Sequence, residues 1–343
     1  MLDAVRIGID ENGLGPRLGP LVVTAVVALT SGPGNAKAES RPRGALRKRL
    51  DDSKKLVAYG DTGLGEAWAR AIVRRMGLGN AASPEAVVRA LSLDGADALR
   101  APCPPTHAGQ CWSASGEAFG CDGELLEQVE RDLDRLEAAG VSVTRAACVV
   151  TCARRLNEAG VRGLTRFDVD LHAMERLVLD ARERAGRDVV ATCGKVGGYD
   201  RYSEAFGPLA GRLHAIAGEG RARSEYAFPG LGRLAFVRDA DAKHLLVCMA
   251  SLVGKWVRDA LMARIVRYHR ALSAPAELPD ASGYHDPVTS RFIHATRLTR
   301  AARELPDTCF ERQAWDDVHD ESPAERRERL AGTPRPSGQR ASR

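Results

Sequence analysis

The stretch Val5-Arg6-Ile7-Gly8-Ile9-Asp10-Glu11-Asn12-Gly13-Leu14-Gly15-Pro16 decides how the chain is read. A short apolar run ends in two adjacent carboxylates and breaks at once into a turn, Gly13 to Pro20, rich in glycine and proline. A second apolar run, Leu21 to Leu29, follows directly. β-Branched content and short length make both runs strands, and the Gly/Pro cluster is the bend that joins them. Asp10 and Glu11 then stand at a strand end, where a packed sheet hands side chains to solvent. Taken alone, the pair reads equally as an acidic hairpin turn, because turns favour Asp, Asn and Gly for backbone reasons.

The 343 residues around this stretch can bury one large core or two ordinary ones. A hydrophobic fraction of 44% with 28% charged residues is that of a soluble globular protein. The net charge of +5 is mild, but its arginines cluster at Arg41 to Arg49, Arg74-Arg75, Arg154-Arg155 and Arg212 to Arg223. Guanidinium forks suit phosphate, so a polyanionic partner fits, although a GC-rich genome would favour arginine as well. Met1 to Ile9 carries Asp3 and Arg6 and lacks the apolar core of a secretory signal. No apolar run approaches a membrane span, which needs about 20 residues. The eight cysteines are scattered, several in apolar segments (Cys148, Cys152, Cys248), as reduced core residues are. The expectation is a cytoplasmic protein without membrane association, by default a monomer.

Periodicity and breakers give the organisation. Thr30 to Arg43 reads as an exposed loop, Leu64 to Met76 as a helix, and Ser83-Pro84-Glu85 as a helix start. Pro102 to Gly120 has no period and reads as loop. Asp122 to Ala139 is helical, Val141 to Val150 a strand, Cys152 to Ala159 a short helix. Asp168 to Ala185 is an amphipathic helix with Leu171, Met174, Leu177, Val178 and Ala181 on one face. Asp188 to Cys193 is a buried-type strand, two or three more strands lie between Leu213 and Val237, and the longest helix spans Asp241 to His269. A further helix runs to Arg300. The sum is one α/β domain over residues 1–300, with insertions at about 30–48 and 78–121, and a helical C-terminal lobe. Residues 301–320 extend that lobe, and 321–343 are charged, Pro- and Arg-rich and read as disordered.

Three further motifs bear on Asp10 and Glu11. Asp51-Asp52-Ser53-Lys54-Lys55-Leu56 offers a hydroxyl and two ammonium groups before a helix, as a phosphate clamp or as a solvated charge run. Arg238-Asp239-Ala240-Asp241-Ala242-Lys243 puts Asp241 at a helix start. Ser251, Lys255 and Asp259 follow at spacings of four on an apolar helix, either facing a site or forming an i,i+4 ion pair. Ser282-Gly283-Tyr284 frees a tyrosine that could stack on a sugar or base.

In this order, Gly8-Ile9-Asp10-Glu11 with Gly13-Leu14-Gly15-Pro16, Asp52 to Leu56, Leu156-Asn157, Ala240 to Lys243 through Asp259, and Ser282 to Pro287 resemble the type 2 ribonuclease H (ribonuclease HII) family, closest to its archaeal and eukaryotic branch. The resemblance implies a ribonuclease H-like mixed sheet flanked by helices. It also implies cleavage of the RNA strand of RNA/DNA hybrids, or of ribonucleotide-containing DNA, with Mg2+ or Mn2+. It makes Asp10, Glu11 and Asp241 the catalytic metal ligands. Gly13, Gly15, Ser53, Lys54, Lys55, Lys243, Ser251 and Tyr284 become the substrate-binding groups. Two-metal phosphodiester hydrolysis needs such converging hard-oxygen ligands, and the ribose 2′-hydroxyl is what separates RNA from DNA.

Two positions depart from the family. The strand expected to end in a fourth acid reads Ala191-Thr192-Cys193-Gly194-Lys195, with Cys193 or Gly194 in the aspartate slot. Asp200 is a substitute only if the glycine loop folds back, and Asp188 lies at the far strand end, roughly 16 Å away. The turn has Leu14 where the family usually has arginine. Two readings therefore stand: a hybrid nuclease of weak or altered activity, and an inactive relative that binds hybrid or structured nucleic acid or serves as a protein-interaction domain. Separately, Cys103, His107, Cys111 and Cys121 (C-x3-H-x3-C-x9-C) offer soft donors for a structural Zn2+, or are merely a cysteine-containing loop.

Overall fold

In the computed structural model, the described residues are 4–101, 103, 105–196, 199–272 and 278–313, apart from the side chains of 96 and 105–108. Seven strands form one mixed sheet: β1 (Ala4–Asn12), β2 (Leu21–Thr30), β3 (Val141–Thr151), β4 (Val189–Gly194), β5 (Ala215–Gly218), β6 (Arg223–Phe228) and β7 (Gly232–Val237). Their order is β3-β2-β1-β4-β7-β6-β5. The pairs β1–β2 and β2–β3 are antiparallel, whereas β1, β4 and β7 run parallel side by side. The carboxyl ends of three strands thus share one edge, the place where open α/β sheets collect ligands.

Side-chain alternation divides the core in two. Val5, Ile7 and Ile9 join Leu171, Met174 and Leu177 of the crossover helix Arg166–Ala185 on one face. Val22, Val26 and Ala28 pack with the long helix Leu245–Leu272 and the helices Gly63–Val73 and Gly123–Ala138 on the other. The long helix lies almost on the strand backbone: a Cβ at Gly8 would stand 2.3 Å from the Leu246 carbonyl carbon. Only glycine permits that approach.

The crossover helix begins with a capping box between Thr165 and Asp168 and ends on left-handed Gly186. Ser83 and Asp122 cap their helices through Ala86 and Leu125 amides. Several boundaries correct the sequence reading. The 30–43 loop contains a short helix, Gly34–Ala38, and the 102–120 loop contains Pro105–Trp112. The second is held by packing rather than period, with Gly109 against the Tyr268 ring and Gln110 bonded to His269 at 3.0 Å. The long helix starts at Leu245 rather than Asp241, because Asp239 is left-handed and Ala240–Ala242 form a separate 3-10 turn. The helix expected to reach Arg300 is two, Pro287–Ala295 and Arg297–Ala302. Residues 314–343, including the tail read as disordered, lie outside the described residues.

Candidate active site

β1 runs through Asn12, so Asp10 and Glu11 are paired strand residues, opposite Thr24 and Val23 of β2. On its other side, β1 is paired with β4 only as far as Ile9–Cys193. The two acids therefore stand where β4 gives out, and Asp241 arrives just after the end of neighbouring β7. Two segments far apart in sequence bring three carboxylates to one edge, where Asp241 disturbs the ionisation of both strand acids. Burial pushes Asp10 well above the ordinary carboxylate range, with Glu11 and Asp241 adding to the rise. Glu11 is raised to about 7, by burial first and then by Asp241. Asp241 is raised by burial and by Asp52.

Cations and hydroxyls oppose this. Lys54 lowers both Asp10 and Glu11 electrostatically, and Ser251 donates a hydrogen bond to Asp10. The Ser251 and Ser53 hydroxyls meet at 3.0 Å, both buried, so the Ser53–Leu56 turn is tied to the long helix beneath Asp10. Asp52 caps that turn through the Lys54 amide, and Lys54 and Lys55 are exposed. Lys243 points away, to the Arg238 carbonyl and the Asp239 carboxylate, both at 3.1 Å. Lys255 and Asp259 form the i,i+4 pair at 3.2 Å. Gly13 adopts φ +88 in the turn, and Tyr284 is exposed with the Arg258 guanidinium 4.6 Å from its ring centre.

Strand direction separates the two residues that end β4. Cys193 is fully buried with Ile9 and Phe236 in the crossover-helix core. Gly194 faces the acids: a Cβ there would stand 2.8 Å from Asp10 Oδ1 and 3.5 Å from Glu11 Oε2. Gly194 thus presents bare backbone against which the Asp10 carboxylate lies, and a side chain there would require that carboxylate to shift. Asp200 does not serve as the fourth acid, since its carboxylate pairs with Lys195 Nζ at 2.9 Å.

Hard carboxylate oxygens at raised pKa suit a divalent cation, which would relieve their repulsion. Among the described residues, no group of three His, Cys, Asp or Glu stands ready as a complete ligand set. Mg2+ commonly takes one or two protein carboxylates and completes its shell with water and substrate phosphate. Asp10, Glu11 and Asp241 fit that open kind of site.

The zinc set does not assemble as spaced in sequence. Cys121 lies by Glu66, Arg70 and Asp122, whereas Cys111 neighbours Cys103, Cys152 and Cys309. The His107 side chain lies outside the described residues. The physical reason is that the Pro105–Trp112 helix packs onto the long helix and carries Cys111 toward the C-terminal segment, as the Gln110 bond to the Cys309 carbonyl at 3.0 Å records.

Sequence reasoning missed three residues here. Arg312 is buried and donates to the Gly13 and Gly19 carbonyls at 2.6 to 2.9 Å, holding the glycine turn from the far end of the chain. Arg258 packs against Gly13 and donates to the Ser282 carbonyl. Asp170 is fully buried in the crossover helix, and its pKa is raised well above the carboxylate range by burial, then Glu11, then Asp10. Its signal was a carboxylate four residues before Met174, on the face that should have been apolar.

Neither a protein-family model nor a curated protein sequence matches the chain. Among solved structures, it is similar to a PCNA:RNase HII complex from Archaeoglobus fulgidus, at 16% identity and a TM-score of 0.40 over 92% of this chain and 100% of that one. It is similar to Bst-RNase HIII in complex with Mn2+, at 14% identity and 0.43 over 96% of this chain and 70% of that one. It is also similar to the ribonuclease H2 of Pyrococcus horikoshii OT3, at 14% identity and 0.37 over 96% and 100%. Each likeness is one of fold alone.

Proposed function

We propose that the chain is a divalent-cation-dependent endoribonuclease acting on RNA/DNA hybrids or ribonucleotide-containing DNA, with activity lowered by the missing side chain at Gly194. One observation carries the reading: Asp10, Glu11 and Asp241 share one sheet edge, where Asp241 raises the pKa of both strand acids and Glu11 adds to the rise at Asp10. Acids that repel in the absence of a cation are the arrangement a cation site requires. Mg2+ or Mn2+ held there would supply charge stabilisation at the scissile phosphate.

This chain's own groups do the rest. Lys54, beside the acids, and Lys55, paired with Asp52 at 3.3 Å, are exposed to attract the phosphate backbone and fix its register. Ser53 and Ser251 hold the Asp10 carboxylate in place through their shared hydrogen bonds. The Gly13 to Gly15 turn offers backbone groups to a 2′-hydroxyl, and Tyr284, braced by Arg258, offers a face for a sugar or base. The eight free thiols suit the reducing cytoplasm. Among the described residues, no helix is long and apolar enough to cross a membrane. We take the working unit to be a monomer.

The absence of a carboxylate at Gly194 favours a second reading, hybrid binding without cleavage. Incubation of a labelled RNA/DNA hybrid with Mn2+ or Mg2+, beside an Asp10→Asn control, separates the two. Cleavage lost in the control is expected. Binding without cleavage would establish the second reading, and neither would refute both.

A further inference from the structure

We infer that Asp170 supplies a carboxylate to the divalent-cation site from beneath the sheet, taking up the work of the side chain that Gly194 lacks. The inference rests on the cation-site reading of Asp10, Glu11 and Asp241, and goes beyond it in naming a ligand from a different element.

Topology puts Asp170 there. The crossover helix precedes β4, which runs parallel to β1, so the helix returns antiparallel and its first turns lie under the strand carboxyl ends. Arg166, four residues before Asp170, confirms the placement by donating to the Leu14 carbonyl at 3.2 Å, just past Glu11. Asp170 takes its place in the inward stripe Phe167, Asp170, Leu171, Met174, where an apolar residue would complete the core.

Its environment is unlike that of a structural aspartate. Asp170 has no exposure, and neither carboxylate oxygen has a hydrogen-bond partner among the described residues. The other two inward acids of this helix are spoken for: Asp168 closes the capping box, and Glu175 accepts from the Gly207 and Leu209 amides. Burying a polar group without a partner is costly, and burying an isolated ionised carboxylate costs far more, on the scale of a whole domain's stability. The ionised form of Asp170 is therefore tolerable only beside a cation. The charged groups whose fields reach it are Glu11 and Asp10, themselves acids, and no side-chain cation among the described residues bonds to it. A divalent ion at the strand ends would.

The donor chemistry agrees. A carboxylate is a hard ligand suited to Mg2+ or Mn2+, whereas the adjacent Cys193 is a soft thiol that burial keeps neutral. Gly194 presents no side chain to the acids, and Asp170 acts on the cluster from the crossover-helix face, where Cys193 also lies and feels its charge.

The experiment is Mn2+ binding to the metal-free full chain, read as loss of the free-ion electron paramagnetic resonance signal. Wild type, Asp10→Asn, Asp170→Asn and Asp170→Asn/Gly194→Asp are compared. The near-isosteric Asp170→Asn is expected to weaken Mn2+ at least tenfold while keeping a wild-type circular dichroism spectrum, and the added Gly194→Asp to recover most of that loss. Wild-type affinity in Asp170→Asn, with weakened binding in Asp10→Asn, would overturn the role of Asp170 and leave the cation site standing. No binding by wild type, or none altered by Asp10→Asn, would overturn both. Should Asp170→Asn not fold, wild type loaded with Fe2+ and treated with ascorbate and peroxide gives the answer. Backbone scission at residues 168–172, beside that at 9–12, is expected; scission at 9–12 without 168–172 would refute the proposal.

Discussion

At the scale of single residues, the acid cluster dictates a pH dependence whose sign can be worked out. Glu11 titrates near 7 in the folded protein against 4.5 for the ordinary side chain. Below 4.5 both folded and unfolded chains hold the proton and Glu11 contributes nothing to the slope. Between 4.5 and 7 the unfolded chain releases its proton while the folded chain keeps it, so stability falls as pH rises. Above that window the penalty is complete, on the order of 3 kcal/mol before the relief that solvent gives a partly exposed group. Buried His269, pushed down to about 4, acts oppositely by losing stability as pH falls from 6.5. Comparing variants cancels that term. Urea unfolding of the metal-free protein at pH 5 and pH 7.5 should show a larger fall for wild type than for Glu11→Gln. Equal falls in the two proteins would remove Glu11 from the cluster, and Mn2+ should shrink the wild-type fall.

At the scale of elements, the site depends on how closely the long helix rides on β1. A methyl group at Gly8 would meet backbone, the Leu246 carbonyl carbon at 2.3 Å and the Val247 nitrogen at 2.4 Å. At Gly254 it would meet side-chain ends, Asn12 Nδ2 and Thr24 Oγ1, both at 2.6 Å. Side chains can swing aside, whereas a helix backbone must translate. Gly8→Ala is therefore expected to cost about 3 kcal/mol or more, at the upper end for overpacking, and Gly254→Ala about 1 kcal/mol. Because Leu246 lies only five residues beyond Asp241, at the start of the long helix, Gly8→Ala should also weaken Mn2+ binding. Urea midpoints in the reverse order would show that the helix, not the side chains, is the yielding part. The sequence pattern made most of these elements legible, since buried strands and capped helices announce themselves in local residue types. Ser83, Asp122 and the Leu171–Ala181 stripe all function as their spacing indicates. What was not legible is directional or long-range. Whether Cys193 or Gly194 meets the acids depends on which face a strand presents, and the Pro105–Trp112 helix exists because Tyr268 and His269 receive it. Asp170 was written among the apolar residues of its helix, but nothing local says what lies across from a buried acid.

At the scale of the whole molecule, the glycine turn at the N-terminus is built by the C-terminal segment. Leu18 bridges to Glu311, the Arg312 amide donates to the Arg17 carbonyl at 2.8 Å, and Arg17 pairs with Glu311 at 2.6 Å. Asn157 fastens the same segment by donating to the Thr308 and Glu311 carbonyls and accepting from the Gln313 amide, each at 2.9 Å. Arg312 is the centre of this closure, its guanidinium spanning the Gly13 and Gly19 carbonyls in a buried setting that lowers its pKa. Removing it leaves two carbonyls unpaired inside the protein, at about 1–3 kcal/mol each. Arg312→Ala should therefore lower stability by roughly 3–5 kcal/mol, the range for breaking a buried charged contact. Arg312→Lys should recover only part of it, since a point charge cannot match a fork bonded to carbonyls on both sides of a turn. The consequence reaches the site, because Gly13 follows Glu11 by two residues and its conformation sets where the strand end points. Hybrid affinity, measured by fluorescence anisotropy at a temperature where Arg312→Lys remains folded, should fall with the loss of the fork even though Arg312 lies outside the acid cluster. Unchanged affinity in a folded Arg312→Lys protein, with stability reduced, would confine the C-terminal segment to holding the fold together and free the glycine turn from its control.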